Sequence, residues 1–139
     1  MTIAQTEHEL MERLNKMPDW SFQFEYVLMQ AVHLPEFSEC ERMQAGLVSG
    51  CQAKVWILVS GSQERVEIKG DSGSLLVKGL LALLLKILNG HSCEEINAYS
   101  IRFLNETKLG ENLSQDRQVG VQAMLEHIKE QIIYLKKRK

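Results

Sequence analysis

The segment Leu75–Leu88 limits what this chain can fold into more than any other, because eleven of its fourteen residues are apolar. Only Lys78, Gly79 and Lys86 interrupt it. A helix that crosses a bilayer needs about 20 apolar residues, so this run reads as a core helix covered on most of its sides. Gly70-Asp71-Ser72 ahead of it is expected to break a strand and cap the helix, and Asn89-Gly90 to close it. With 139 residues in all, the economical reading is one domain over 1–139, burying roughly two-thirds of the unfolded surface.

The remaining elements arrange themselves around that helix. Thr6 and Glu9 form a capping-box pattern before Leu10, Met11, Leu14 and Met17 at helical spacing. Asp19 is a candidate N-cap for a second helix carrying Phe24, Val27, Leu28 and Ala31, which Pro35 stops near Leu34. Ser38 with Glu41 and Ser92 with Glu95 each predict a further short helix. Residues 54–59 and 65–69 read as an antiparallel hairpin turning at Ser60-Gly61-Ser62-Gln63. In the second strand Val66 and Ile68 alternate with Arg65, Glu67 and Lys69, which predicts one wet face. Ser114 opens the last helix, with the stripe Val121, Met124, Leu125, Ile128, Ile132 and Leu135. Helices packed on a small antiparallel sheet make the class α+β.

Charge and cysteine usage narrow the function. A formal net charge of −2 and a pI near 6.1 argue against a general nucleic-acid binder. The one concentrated basic tract, Lys136-Lys137-Arg138-Lys139, suits the negative pole of a final helix. No basic leader with an apolar core opens the chain, and three cysteines fit free thiols in a reducing cytoplasm better than a disulfide framework.

Among those thiols Cys51 stands apart. It follows Gly50, which permits a turn most residues cannot make, and Gln52-Ala53-Lys54 then leads into the strand-like Val55-Trp56-Ile57-Leu58. The pattern suits a thiol carried on a loop at a sheet edge, although a small buried hydrophobe is the competing reading. Cys40, in a short helix, and Cys93, at the first position of another, read as structural, with Cys93 open to incidental reactivity at a helix N-terminus. A metal site from Cys51, His91 and Cys93 lacks the spacing zinc sites usually show. His8, His33 and His127 read as helix-face residues rather than catalytic bases.

The segments Leu47-Val48-Ser49-Gly50-Cys51-Gln52-Ala53-Lys54-Val55-Trp56, Gly70-Asp71-Ser72-Gly73-Ser74-Leu75-Leu76-Val77-Lys78-Gly79-Leu80 and Leu113-Ser114-Gln115-Asp116-Arg117-Gln118-Val119-Gly120 occur in an order and spacing that resemble the SufE/CsdE family of sulfur-acceptor proteins. The likeness spans residues 19 to 129. It implies an α+β, SufE/IscU-like fold with Cys51 as a persulfide carrier loaded by a cysteine desulfurase. A downstream iron–sulfur scaffold would then receive the sulfur. The resemblance leaves a homodimer open and places no cofactor on this chain, pyridoxal phosphate being expected only in the desulfurase. Such a protein is a transfer partner rather than a stand-alone enzyme, with no membrane or nucleic-acid partner. Arg117 is the candidate supporting cation. Asp71 is a helix cap that would also support the site if the positive pole of its helix lies near the cysteine. Two rival readings are an iron–sulfur or metal scaffold that uses Cys51 with other ligands, and a cysteine hydrolase, which needs a paired base and a substrate pocket.

Overall fold

A computed structural model describes residues 1–137, with side chains through Leu135. The basic run Lys136-Lys137-Arg138-Lys139 therefore lies outside the described side chains. Among the described residues the chain forms α1 (Ile3–Asn15), α2 (Trp20–Gln30), a 3-10 turn (Ala31–His33), α3 (Glu39–Ala45), β1 (Val55–Gly61), β2 (Val66–Ser72), α4 (Leu75–Leu88), α5 (Cys93–Ala98), α6 (Lys108–Asn112) and α7 (Gln115–Lys137). The class is α+β, as its sequence pattern predicts.

The strands form one antiparallel pair in which Val55 faces Ser72 and Gly61 faces Val66. Val55, Ile57, Val66, Ile68 and Gly70 turn inward, where α4 packs on β2 and α7 on β1. Gly70 belongs to this inner face because a side chain there would strike Leu81 at 2.8 Å. The helix α4 is the centre of the core: Leu80, Leu81, Leu83, Leu84, Ile87 and Leu88 are wholly buried. It also crosses α2 at close range, since a Cβ on Gly79 would lie 2.1 Å from the Val27 carbonyl oxygen. The inner stripe of α7, from Val121 to Leu135, is buried in the same core.

Burial of this kind predicts a measurable cost. Leu81→Ala truncates a wholly buried side chain and leaves a cavity, so it should cost about 2–5 kcal/mol. A shift in denaturant midpoint worth less than about 0.5 kcal/mol would place Leu81 outside the core.

Three local expectations are corrected. The first helix begins earlier: Thr2, not Thr6, is its N-cap, and Gln5, not Glu9, completes the capping box. The second strand does not end at Gly70, because Asp71 and Ser72 stay in the ladder opposite Trp56 and Val55. Ser74 is the N-cap of α4, its hydroxyl accepting from the Val77 N–H at 3.4 Å. Nor is the outer sheet face simply wet. Helix α3 lies on it, so Lys69 is half-buried beneath Glu41, their charged atoms 2.5 Å apart, and Asp71 is buried. The capping assignments at Asp19, Ser38 and Ser92 match the structure.

Candidate functional site

The candidate site is the loop of residues 46–54, which joins α3 to β1. Gly46 ends α3 with φ at 66°, and Gly50 has φ at 90°, so both positions favour glycine. The loop is a closed excursion: Leu47 bridges Trp56, and the Val48 N–H donates to the Val55 carbonyl at 2.9 Å. Its returning end is tied to β2 by bonds to the Lys54 carbonyl from the Gly73 N–H at 3.1 Å and the Ser72 hydroxyl at 2.8 Å.

At the tip, the loop rests on α7. A Cβ on Gly50 would sit 3.1 Å from the Ala123 Cβ. The Cys51 thiol donates to the Gly120 carbonyl with Sγ 3.4 Å from the oxygen. Gly120 and Ala123 lie one turn apart on one helix face, and their small size lets the loop come this close. Cys51 is half-buried against the core, and burial pushes its thiol above the ordinary value. The resting sulfur is therefore a protonated, partly shielded group. It is neither the free loop tip nor the fully buried hydrophobe that its position alone leaves open.

Arg117 stands one turn before Gly120. Its backbone N–H caps the start of α7 through Ser114, with bonds of 3.1 Å to the carbonyl and 3.3 Å to the hydroxyl. Arg117 is a partly exposed residue and has no carboxylate within ion-pair range among the described residues. It forms no pair with its neighbour Asp116, and it stands one turn before the residue whose carbonyl the thiol bonds.

Asp71 works differently from its expected capping role. Its carboxylate takes Arg42 Nη2 at 2.6 Å on one oxygen and Lys78 Nζ at 3.2 Å on the other. Burial alone would raise its pKa, but the Arg42 bond, the Ser72 backbone and Lys78 outweigh burial and hold the carboxyl below the usual range. Arg42 also lies over the Trp56 ring, 5.2 Å from its centre. Sequence reasoning missed Arg42, because nothing in Glu41-Arg42-Met43 marks a residue whose partners are 14 and 29 positions away.

The rival readings find little support in the geometry. No three His, Cys, Asp or Glu side chains among the described residues are grouped so as to hold a metal ion. His91 and Cys93 pair through their backbones with Val66 and Gln63, at the hairpin-turn end of the sheet, whereas Cys51 enters at the other end. Cys93 is 1% exposed, in line with the structural reading given to it. The Cys51 thiol bonds a backbone carbonyl rather than a histidine. A recess of about 760 Å³, lined by His33, Arg65 and Lys86, does not include Cys51. His127 faces β1: it hydrogen-bonds the Ile57 backbone, its Nε2 is unpartnered, and burial lowers its pKa against the opposing pull of Glu130.

The surroundings of the loop are apolar and open. Leu47 is 56%, Val119 51% and Leu75 57% exposed, on the three segments that bracket the cysteine. Among the described residues no helix is long and apolar enough to cross a membrane.

A small α+β protein that presents a single tethered thiol at the entry to its sheet is the class defined here. The SufE family, described as an Fe-S metabolism associated domain, matches residues 8–132. An uncharacterized SufE-like protein of Rhizobium etli is 32% identical over 120 residues, which cover 83% of this chain and 81% of that protein. The chain belongs to the SufE family. Its fold is shared with a hypothetical protein of Thermus thermophilus known from a solution structure. That likeness has a TM-score of 0.80 at 19% identity and covers 95% of this chain and 96% of the other.

Proposed function

We propose that this protein accepts sulfur from a cysteine desulfurase onto Cys51 and passes it on for iron–sulfur cluster assembly. The observation that carries the reading is the Cys51 thiol itself, set on a closed loop, partly shielded by the core and bonded to the Gly120 carbonyl. Membership of a family associated with iron–sulfur metabolism supports it.

The chemistry is a thiol–persulfide exchange. Cys51 loses its proton to solvent or a base of the partner, and the thiolate attacks the terminal sulfur of a persulfide on the desulfurase cysteine. The S–S bond in the donor breaks as a new one forms on Cys51, and the donor cysteine leaves as a thiolate. No oxidant is consumed and no oxyanion hole is needed. A free thiol has a pKa near ~8.5, so only a few per cent is ionised at pH 7, and burial reduces that share further here.

Shielding protects the resting thiol from oxidation, and docking must release it. The exposed Leu47, Leu75 and Val119 offer the apolar contact a partner would cover, and Arg117 offers a cation at its rim. Withdrawal of the loop from Gly120 would expose Cys51 to the partner's persulfide. The protein should then raise sulfide release by a desulfurase, because it removes the enzyme-bound persulfide.

Intact mass after incubation with a desulfurase and cysteine tests the reading: a gain of one sulfur on this chain is the expected result. Arg117→Ala should keep the fold, whose α7 cap uses only its backbone N–H, and weaken the stimulation. Unchanged turnover of several cysteine desulfurases in the presence of the wild-type protein would refute the function.

A further inference from the structure

The tip that carries Cys51 rests on α7, and its two stems are fastened to the sheet. The outgoing stem, Leu47 and Val48, is hydrogen-bonded to the returning stem at Val55 and Trp56. Trp56 lies opposite Asp71 in the ladder, and the residues after Asp71 bond the Lys54 carbonyl. Arg42, in the helix just before the outgoing stem, is 28% exposed in its side chain and spans these parts. Its guanidinium lies 5.2 Å from the Trp56 ring centre, bonds Asp71 at 2.6 Å and is steadied by Glu39 at 2.9 Å. A planar guanidinium can stack on a ring and donate in its own plane together, which a lysine cannot. Asp71 is 8% exposed and carries Lys78 of α4 on its other oxygen. One cation therefore fastens α3, β1 and β2, and through Asp71 α4, around the base of the loop.

We propose that Arg42 is a positioning residue for Cys51: by clasping Trp56 and Asp71 it holds the base of the 46–54 loop in the register that seats the thiol on Gly120. It bears on function through the sulfur-acceptor reading, but it acts on the loop whether or not sulfur is transferred. Arg42 lies on the outer sheet face and Gly120 on the inner side with α7, so the effect travels through the loop backbone. Loss of the clasp raises the population of the open loop, and with it the reactivity of Cys51.

The test uses the isolated protein and iodoacetamide, with no desulfurase present. Arg42→Met keeps the aliphatic stem over Trp56 and removes the bonds to Asp71. The alkylation rate constant at pH 7 should rise about tenfold, as expected where a charged hydrogen bond holds a local opening shut. The pH midpoint of alkylation should fall toward the ordinary thiol value, a change that uniform destabilisation would not bring. Arg42→Lys should fall between wild type and Arg42→Met. Asp71→Asn should reproduce the effect independently, and the double variant should be no faster than the faster single, because both remove one clasp. Arg102→Met, which breaks the exposed pair with Glu106, should change nothing. A wild-type rate and midpoint in both Arg42→Met and Asp71→Asn would overturn the proposal, as would an equal rise in Arg102→Met. Should either clasp variant fail to fold, the other decides. A chain that shows these alkylation changes yet takes no sulfur from a desulfurase would sink the function and leave the clasp standing.

Discussion

Cys51→Ser should lose sulfur acceptance completely while it keeps its fold. Serine is nearly isosteric, and its hydroxyl can donate to the Gly120 carbonyl as the thiol does at 3.4 Å. The half-buried site gives little reason for a large stability change. A hydroxyl, however, is not ionised near neutral pH and cannot attack the terminal sulfur of a persulfide, so the loss is one of chemistry alone. Intact mass after exposure to desulfurase and cysteine checks it, with Cys40→Ser/Cys93→Ser as the counterpart. Cys40 is exposed on α3 and Cys93 is buried at the start of α5, and neither lies at the loop. The double variant should acquire sulfur at the wild-type rate. Sulfur on Cys51→Ser at the normal rate, or none on the double variant, would show that the carrier has been misassigned.

The largest effect on stability should come from Glu7→Ala. Glu7 is wholly buried on α1. Its Oε2 accepts the Arg102 N–H at 2.6 Å and the Phe103 N–H at 3.0 Å. The Tyr99 hydroxyl donates to its Oε1, which with burial pushes the tyrosine pKa up. One carboxylate therefore joins α1 to the segment 99–103, and Lys129 of α7 bonds that segment separately at the Tyr99 carbonyl, 2.9 Å away. Alanine would strand three donors, two of them backbone amides, at about 1–3 kcal/mol for each that water cannot reach. A total of about 3–5 kcal/mol is expected, a large share of the roughly 5–15 kcal/mol that holds a domain together. Glu7→Gln keeps one acceptor oxygen and should lose about half as much. Denaturant midpoints decide this: a shift within about 0.5 kcal/mol for Glu7→Ala would mean that the donors find other partners.

These two residues differ in how far their roles can be read from the chain. For Cys51 the local chemistry, a glycine that permits the turn and a β-branched and aromatic run that starts shortly after it, leaves two readings open, and the resemblance of three segments to one family favours the loop thiol. Glu7 has no such signal. In the sequence it is one of three acids among Glu7, Glu9 and Glu12 on a helix, and only the arrival of residues 99–103, more than ninety positions on, buries it.

The elements follow the same division. Leu75–Leu88 as the core helix, the hairpin and the stripe on α7 are legible because periodicity and composition are properties of short stretches. The strand end expected at Gly70 is wrong because glycine, aspartate and serine are poor strand formers only when taken singly. Here Gly70 makes room for Leu81, and Asp71 is held in the ladder by Arg42 and Lys78. Tertiary contacts override local preference. The shift of the first cap from Thr6 to Thr2 is a different case, because Thr2 and Gln5 make the same local capping-box pattern one turn earlier.

The fold class and the central helix are encoded by residues close together in the chain, so the amino acids alone suffice to name them, and they single out Cys51 as the candidate thiol through a pattern spread over three segments. How that thiol rests, on the Gly120 carbonyl some seventy residues away, emerges only once the chain has folded. The same holds for what fastens its loop, a guanidinium shared between Trp56 and Asp71. The difference is one of range. Periodicity, capping and turn preference act over a few residues, whereas the pKa of a thiol and the seat of a loop depend on whatever packing brings within a few ångströms.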